Sequence, residues 1–214
     1  MRQNPDLSIE IPLWQQGLLL AGLDEAGRGA WAGPVSAGAV ILPRDVDVLQ
    51  RLKGVRDSKQ MTPRQRMAWA ERIKGEALAW GVGFVSSQEI DTIGILPATR
   101  LAMQRALRGL CLPPQHLLID ALRLPDEALP QTALIHGDSR CLSIAAASVL
   151  AKTGRDLLMV ELSRQYPGYG LERHKGYGTS FHQQAMQQLG LCPIHRRSYA
   201  PCREILLENK VVLS

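Results

Sequence analysis

Apolar runs and the polar residues that stop them alternate along this chain in a way that predicts a layered α/β fold. Residues 18–23 form an unbroken apolar run that ends on Asp24-Glu25, the pattern of a buried strand that carries acid to its end. Gly33-Pro34 marks a turn, and residues 35–42 alternate small and β-branched side chains up to Pro43, which predicts a second strand pairing back on the first. Thr62-Pro63 is a helix start, a capping residue followed by proline at the first helical position. The helix is expected over residues 64–80, with Met67, Ala70, Ile73, Ala77 and Trp80 near one face. Residues 81–86 return as a third strand.

A second helix is predicted from Pro97 to Leu110, where Pro113-Pro114 breaks the chain. Residues 116–119 make a short strand ending on Asp120, residues 122–131 a loop, and residues 132–135 a last strand followed directly by Gly137-Asp138-Ser139. A long helix then runs from residue 142 to about 164, stopped by Pro167-Gly168. Its Ala145-Ala146-Ala147-Ser148 run would let it lie close against a sheet. A glycine-rich loop, a short helix near residues 181–189 and a basic tail complete the chain. The early strands should pair antiparallel, and those separated by helices parallel. The expectation is a mixed sheet with helices on its faces and a site at its strand ends.

The chain has 214 residues and a net charge of +5, which favours an anionic partner. The distribution of charge says more. Between Arg51 and Lys74 eight basic residues face two acidic ones, whereas Asp120, Asp126, Glu127 and Asp138 surround a single arginine, Arg123. Basic walls around an acidic centre suit a nuclease groove, in which lysine and arginine hold phosphates and acids hold metal. The four cysteines show no C-x-x-C spacing and are expected as free thiols of a reducing cytosol. Residues 1–16 contain Asp6 and Glu10 and lack the apolar core of a signal peptide. No run reaches the ~20 apolar residues of a membrane helix. A soluble, cytoplasmic protein is therefore expected, and it is taken to act as a monomer.

Asp24, Glu25, Asp120 and Asp138 stand at or just past predicted strand ends. Hard oxygen donors of this kind suit magnesium or manganese, and four carboxylates can hold two such ions for in-line attack on phosphorus. Asp138 is equally well placed to cap the long helix. Gly27-Arg28-Gly29 offers bare backbone to a sugar or phosphate beside the acids.

Asp24-Glu25-Ala26-Gly27-Arg28-Gly29 with Gly33-Pro34-Val35, Asp57-Ser58-Lys59, Leu118-Ile119-Asp120, Gly137-Asp138-Ser139, the segment from Ile144 through Ala151-Lys152, and His174-Lys175-Gly176-Tyr177-Gly178-Thr179 resemble the motifs of bacterial ribonuclease HII, in order and from about residue 20 to 199. The resemblance implies a ribonuclease H-like α/β fold, a mixed five-stranded sheet flanked by helices, with a C-terminal helical extension. The division expected is an N-terminal extension over 1–17, a catalytic domain over 18–166, and a substrate-binding and helical extension over 167–214. It implies cleavage of RNA in RNA–DNA hybrids and on the 5′ side of ribonucleotides embedded in duplex DNA, leaving 3′-hydroxyl and 5′-phosphate ends with two Mn2+ or Mg2+ ions. Asp24, Glu25, Asp120 and Asp138 resemble the catalytic metal ligands. Gly27, Arg28 and Gly29 resemble the segment that senses the ribose 2′-hydroxyl, the group that separates RNA from DNA. Tyr177 resembles a tyrosine packed beside the sugar, and Lys59, Arg196 and Arg197 resemble phosphate contacts.

Ala30-Trp31 and His136 depart from the family pattern, Trp31 expected to pack beneath the glycine turn and His136 to remove a fixed charge near the metal. Asp156, four residues after Lys152, reads as a helical ion pair. His174 and His195 are expected to meet phosphate or solvent. A strand transferase or exonuclease on the same fold would have no need of a 2′-hydroxyl sensor, and a hybrid-binding module without catalysis would have no need of all four acids.

Overall fold

The computed structural model describes residues 4–211, with side chains to residue 207. In chain order the elements are α1 (Glu10–Trp14), β1 (Leu20–Ala26), β2 (Val35–Ile41), α2 (Val48–Arg51), α3 (Pro63–Glu76), β3 (Ala79–Val85), α4 (Ser87–Ile93), α5 (Ile95–Arg108), β4 (His116–Asp120), β5 (Gln131–Leu134), α6 (Leu142–Gln165), α7 (Leu171–His174), α8 (Ser180–Leu189) and α9 (Ala200–Val211), with tight 3-10 turns at Ser58–Gln60 and Gly137–Ser139. The strands form one five-stranded sheet in the order β3-β2-β1-β4-β5. β1 pairs antiparallel with β2, and β2 with β3; β1 pairs parallel with β4, and β4 with β5. The mixed sheet flanked by helices is as the sequence predicts. β2 and β3 are joined by a long helical connection, so their antiparallel pairing owes nothing to a short turn.

Each face of the sheet buries against a helix. Ala98, Ala102, Met103 and Ala106 of α5 pack on Ala21, Leu23 and Ala37. On the other face Ala145, Ala146 and Val149 of α6 pack with Val40, Leu42 and Ile73. The alanine run lets α6 come close, and the sheet matches it with glycine. A Cβ at Gly22 would lie 2.2 Å from the Ser143 carbonyl carbon, and one at Gly38 would lie 2.3 Å from the Ala147 oxygen. This helix covers the strands that end in acid.

Four local expectations are corrected. β1 runs on to Ala26, so Asp24 and Glu25 lie within the strand's last residues rather than beyond it. The first long helix ends at Glu76, and Trp80 belongs to β3, because pairing of Ile41 with Ala79 on the sheet overrides the apparent helical spacing. Met67 is exposed; the buried position on that turn is Arg66. α5 begins at Ile95, two residues before Pro97, which the unbonded amides of a first turn permit. The helix α4 lies where the apolar pattern predicts no helix, although Ser86 and Glu89 form a capping box that marks its start.

The N-terminal segment also has a task that its sequence did not advertise. Cys141, before α6, gives no side-chain cap. The wholly buried Glu10 supplies one instead, accepting from the Ser143 amide at 2.9 Å and the Ser143 hydroxyl at 3.0 Å. A carboxylate at a helix start is favourable, but burial raises its pKa. Cys111, Cys141, Cys192 and Cys202 are all free thiols. Among the described residues no helix is long and apolar enough to cross a membrane.

Candidate active site

Register brings the acids together. Leu20 to Leu23 pair with His116 to Ile119, and one further step sets Asp24 level with Asp120. Both sit at even positions with Gly22 and Leu118, so both project to the α6 side of the pleat. β5 then returns the chain beside β4, and the turn at Gly137–Ser139 swings Asp138 in from the next segment. Asp24, Asp120 and Asp138 each offer a carboxylate oxygen within 4.8 Å of the others. Asp138 does not cap α6, since it lies in the preceding turn and Glu10 holds the helix start.

Glu25 stands apart from this trio. Strand alternation sends it to the opposite pleat, and it reaches the shared cleft only because β1 ends there. Its Oε1 accepts from Arg28 Nη1 at 3.1 Å.

The acids are held in mutual repulsion. Burial raises the Asp24 pKa well above its ordinary value, and the charges of Glu25 and Asp120 push it further. Burial raises Glu25 against the opposing pull of Arg28. Burial and the Asp57 charge raise Asp138, with Lys59 opposing. Asp24 Oδ2 and Glu25 Oε2 are buried without a hydrogen-bond partner. Asp24 Oδ1 takes the Glu25 amide at 2.7 Å, and Asp120 Oδ1 takes the Gly137 amide at 2.7 Å, which fixes both carboxylates and leaves their remaining oxygens free. Lys59, on the turn at Ser58–Gln60, sits 3.5 Å from Asp138 and 3.6 Å from Asp57. Partial burial disfavours its charge, but Asp57, Asp24 and Asp138 outweigh this and raise its pKa. Hard oxygens, orphaned lone pairs and unbalanced negative charge fit divalent cations.

Beside the acids a cleft of about 500 Å³ is lined by Asp24, Glu25, Asp120, Lys59, the Gly27–Gly29 turn and Tyr177. Gly27 needs its missing side chain twice over, with φ at +91° and a hypothetical Cβ only 2.0 Å from Arg155 Nε. Gly29 is different. A Cβ there would meet nothing within 4 Å, so its bare backbone faces open space.

Arg196 corrects the sequence reading. It is wholly buried and meets no solvent. Its guanidinium donates to the carbonyls of Gly33 at 3.0 Å, Arg28 at 2.8 Å and Gly27 at 2.7 Å, and to the Tyr199 hydroxyl at 3.0 Å. A side chain spent in this way cannot also hold a phosphate; it holds the glycine turn. Arg155, equally buried, donates to Pro34 at 2.8 Å, Ala32 at 3.1 Å and Lys175 at 2.9 Å, tying the same turn to the Tyr177 loop. Sequence spacing carried no sign of either, although an arginine on a small-residue helix such as α6 is a fair hint of inward use. Arg197 remains exposed, its amide held by Asp91 at 2.8 Å. Tyr177 meets both the Lys152 ammonium, 5.2 Å from its ring, and the Arg155 guanidinium at 5.3 Å. Asp156 pairs with Lys152 at 2.6 Å as its spacing predicts, and also with Arg66 at 2.9 Å. Arg66 in turn donates to the carbonyls of Ser58 and Met61 on either side of Lys59. Trp31 packs on His182 with ring centres 5.6 Å apart. His136 is exposed, in a left-handed backbone conformation. His195 is buried and His174 half-buried, so the expectation that they meet phosphate or solvent fails for His195, and His182 is buried beside it.

Comparison with known proteins identifies the family and the fold. The family model described as Ribonuclease HII matches residues 21–202. A ribonuclease HII of Dehalococcoides mccartyi is 50% identical over 207 residues, covering 94% of this chain and 95% of the relative. One from a Synechococcus species is 54% identical over 203 residues, covering 94% and 91%. The crystal structure of ribonuclease H2 from Pyrococcus horikoshii superposes with a TM-score of 0.74 at 27% identity, covering 89% of this chain and 98% of that one.

Proposed function

The chain belongs to the ribonuclease HII family, whose members cleave the RNA of RNA–DNA hybrids, and from that premise we propose its finer activity: it also incises duplex DNA on the 5′ side of an embedded ribonucleotide, leaving 3′-hydroxyl and 5′-phosphate ends. The observation that carries this reading is the convergence of Asp24, Asp120 and Asp138, the first two of which line one cleft with the open backbone of Gly29.

In this proposal Asp24, Asp120 and Asp138 would hold Mn2+ or Mg2+, with Glu25 completing the set from the cleft edge. Two such ions, when bound, supply charge for the scissile phosphate and lower the pKa of a water. The protein's own residues do the rest. The backbone of residues 27–29 senses the 2′-hydroxyl, the group that DNA lacks. Tyr177 packs against the sugar. Lys59 and the exposed Arg197 meet phosphates, and Arg28 keeps Glu25 oriented. Residues 18–166 serve as the catalytic unit, residues 167–214 as the extension that carries Tyr177, and residues 1–17 as an N-terminal extension whose Glu10 caps α6; residues 1–3 and 212–214 lie outside the described residues. The proposed enzyme works as a cytoplasmic monomer, in keeping with its free thiols.

The test is a substrate panel with Mn2+ or Mg2+ present: an RNA–DNA hybrid, duplex DNA with one ribonucleotide, all-DNA duplex and all-RNA duplex. The first two should be cut, the second once, at the 5′ side of the ribonucleotide. Comparable cutting of the all-DNA duplex, or none of the embedded ribonucleotide, would refute the proposal.

A further inference from the structure

Behind the cleft lie three histidines for which the catalytic reading has no use. His182 and His195 are 0% and 1% exposed. One direction satisfies all of their contacts, because the two ends of the chain have fixed roles. The Cys192 amide, which can only donate, lies 3.0 Å from His195 Nδ1; that nitrogen must accept, and the ring proton is on Nε2. His195 Nε2 lies 3.1 Å from His182 Nε2, which must then accept, so the proton of His182 is on Nδ1. His182 Nδ1 lies 3.0 Å from the Tyr177 carbonyl, which can only accept. Donor meets acceptor at every link.

We propose that His195 and His182 form a one-way hydrogen-bond relay that positions Tyr177 in the cleft. This rests on the reading of Tyr177 as the residue that packs on the sugar. The same logic applies to His174. Its Nδ1 accepts the Gly176 amide at 3.2 Å, and its Nε2 donates to the Tyr169 carbonyl at 2.7 Å. The Tyr177 amide donates to the His174 carbonyl at 3.0 Å, so the peptide groups on both sides of the tyrosine are held by this cluster. His182 stacks between Trp31 and His174, with centres 5.6 and 4.4 Å away, which leaves its ring no room to turn. Trp31, a departure from the family pattern, is thus a wall of the cluster. One competing arrangement exists. The Cys192 carbonyl is 3.3 Å from His195 Nδ1 and the Cys192 sulfur 3.1 Å. A proton on Nδ1 could use the carbonyl, but it would orphan the Cys192 amide and reverse every later link, leaving the Tyr177 carbonyl without its donor. Burial lowers the pKa of both His182 and His195 to about 4, so the rings are neutral as the relay requires.

Nitrogen-15 NMR of histidine-labelled protein at pH 7 tests the relay without any substrate. The expected signature is a neutral His195 with its proton on Nε2 and a neutral His182 with its proton on Nδ1. The opposite tautomers, or an imidazolium at either residue, overturn the relay. Kinetics on duplex DNA with one ribonucleotide test the positioning role. His182→Leu should lower kcat/KM about tenfold, the loss expected from one hydrogen bond, with the Mn2+ dependence unchanged. His182→Asn, whose amide nitrogen can stand where Nδ1 stands, should recover most of the loss. Unchanged kcat/KM in a folded His182→Leu protein overturns the positioning role. Failure of the wild type to cut would refute the proposed activity, while the tautomer measurement would still decide the relay.

Discussion

The two walls of the cleft bury charge in opposite ways. On the acid wall, carboxylates at the ends of β1 and β4 are pressed together with lone pairs unpartnered, and Asp24 is pushed well above its ordinary pKa by burial and by its neighbours. On the turn wall, two guanidiniums are buried as deeply, yet every nitrogen of Arg155 and Arg196 donates to a carbonyl or hydroxyl. Burial lowers Arg155 only to about 10, so it stays charged at neutral pH. Buried carboxylates with unpartnered lone pairs suit a cation; a buried charge fully bonded is a fastening. The difference separates the part suited to hold a cation from the part that fixes the shape of the glycine turn.

The sharpest way to break the comparison is Asp120→Asn. It removes charge from the acid wall while leaving an acceptor for the Gly137 amide. Cleavage should fall by about a thousandfold or more, with hybrid affinity in a metal-free gel shift nearly unchanged; loss of binding would contradict the division of roles. Arg196→Met attacks the other wall. It takes a donor from each of the carbonyls of Gly27, Arg28 and Gly33, so urea denaturation should show a loss of about 3 kcal/mol, together with weaker discrimination between ribonucleotide and deoxynucleotide substrates. Intact stability would mean that the turn holds itself.

Acidity gives a third probe. The pKa of His182 and His195 is about 4 in the folded protein against roughly 6.5 in an unfolded chain. Unfolding therefore takes up protons, and the stability these groups contribute is present above pH 6.5 and lost as pH falls toward 4. Neighbouring His174, itself lowered by burial, acts in the same sense, while Cys192, Tyr169 and Trp31 contribute no charge in this range. Melting temperatures from pH 7 to 4.5 should fall more steeply for the wild type than for His182→Asn/His195→Gln. The smallest effect belongs to Lys59→Ala. It should weaken hybrid binding a few-fold and reduce the slope of log affinity against log salt by about one, as measured by salt titration.

Much of the fold was legible because its signals are local. Apolar runs stopped by Asp24 and Asp120, the glycine-proline turn and the alanine-rich helix each announce themselves within a few residues, and together they dictated a mixed sheet with acids at its strand ends. The meeting of Asp24 and Asp120 followed, since strand register carries a residue at the end of one strand to its partner at the end of the next, and Asp138 joins them from the turn just past β5.

Tertiary structure alone decided what lies behind those residues. Glu25 is adjacent to Asp24 in sequence but leaves the trio, because the pleat sends neighbours to opposite faces. Arg196 looks like a phosphate contact until distant carbonyls are found to converge on it. Glu10 caps a helix that begins more than a hundred residues later. The protons of His182 and His195 are assigned by an amide and a carbonyl on separate segments. A long polar side chain turns inward only where partners from elsewhere in the chain meet it, and no local pattern of residues encodes that meeting.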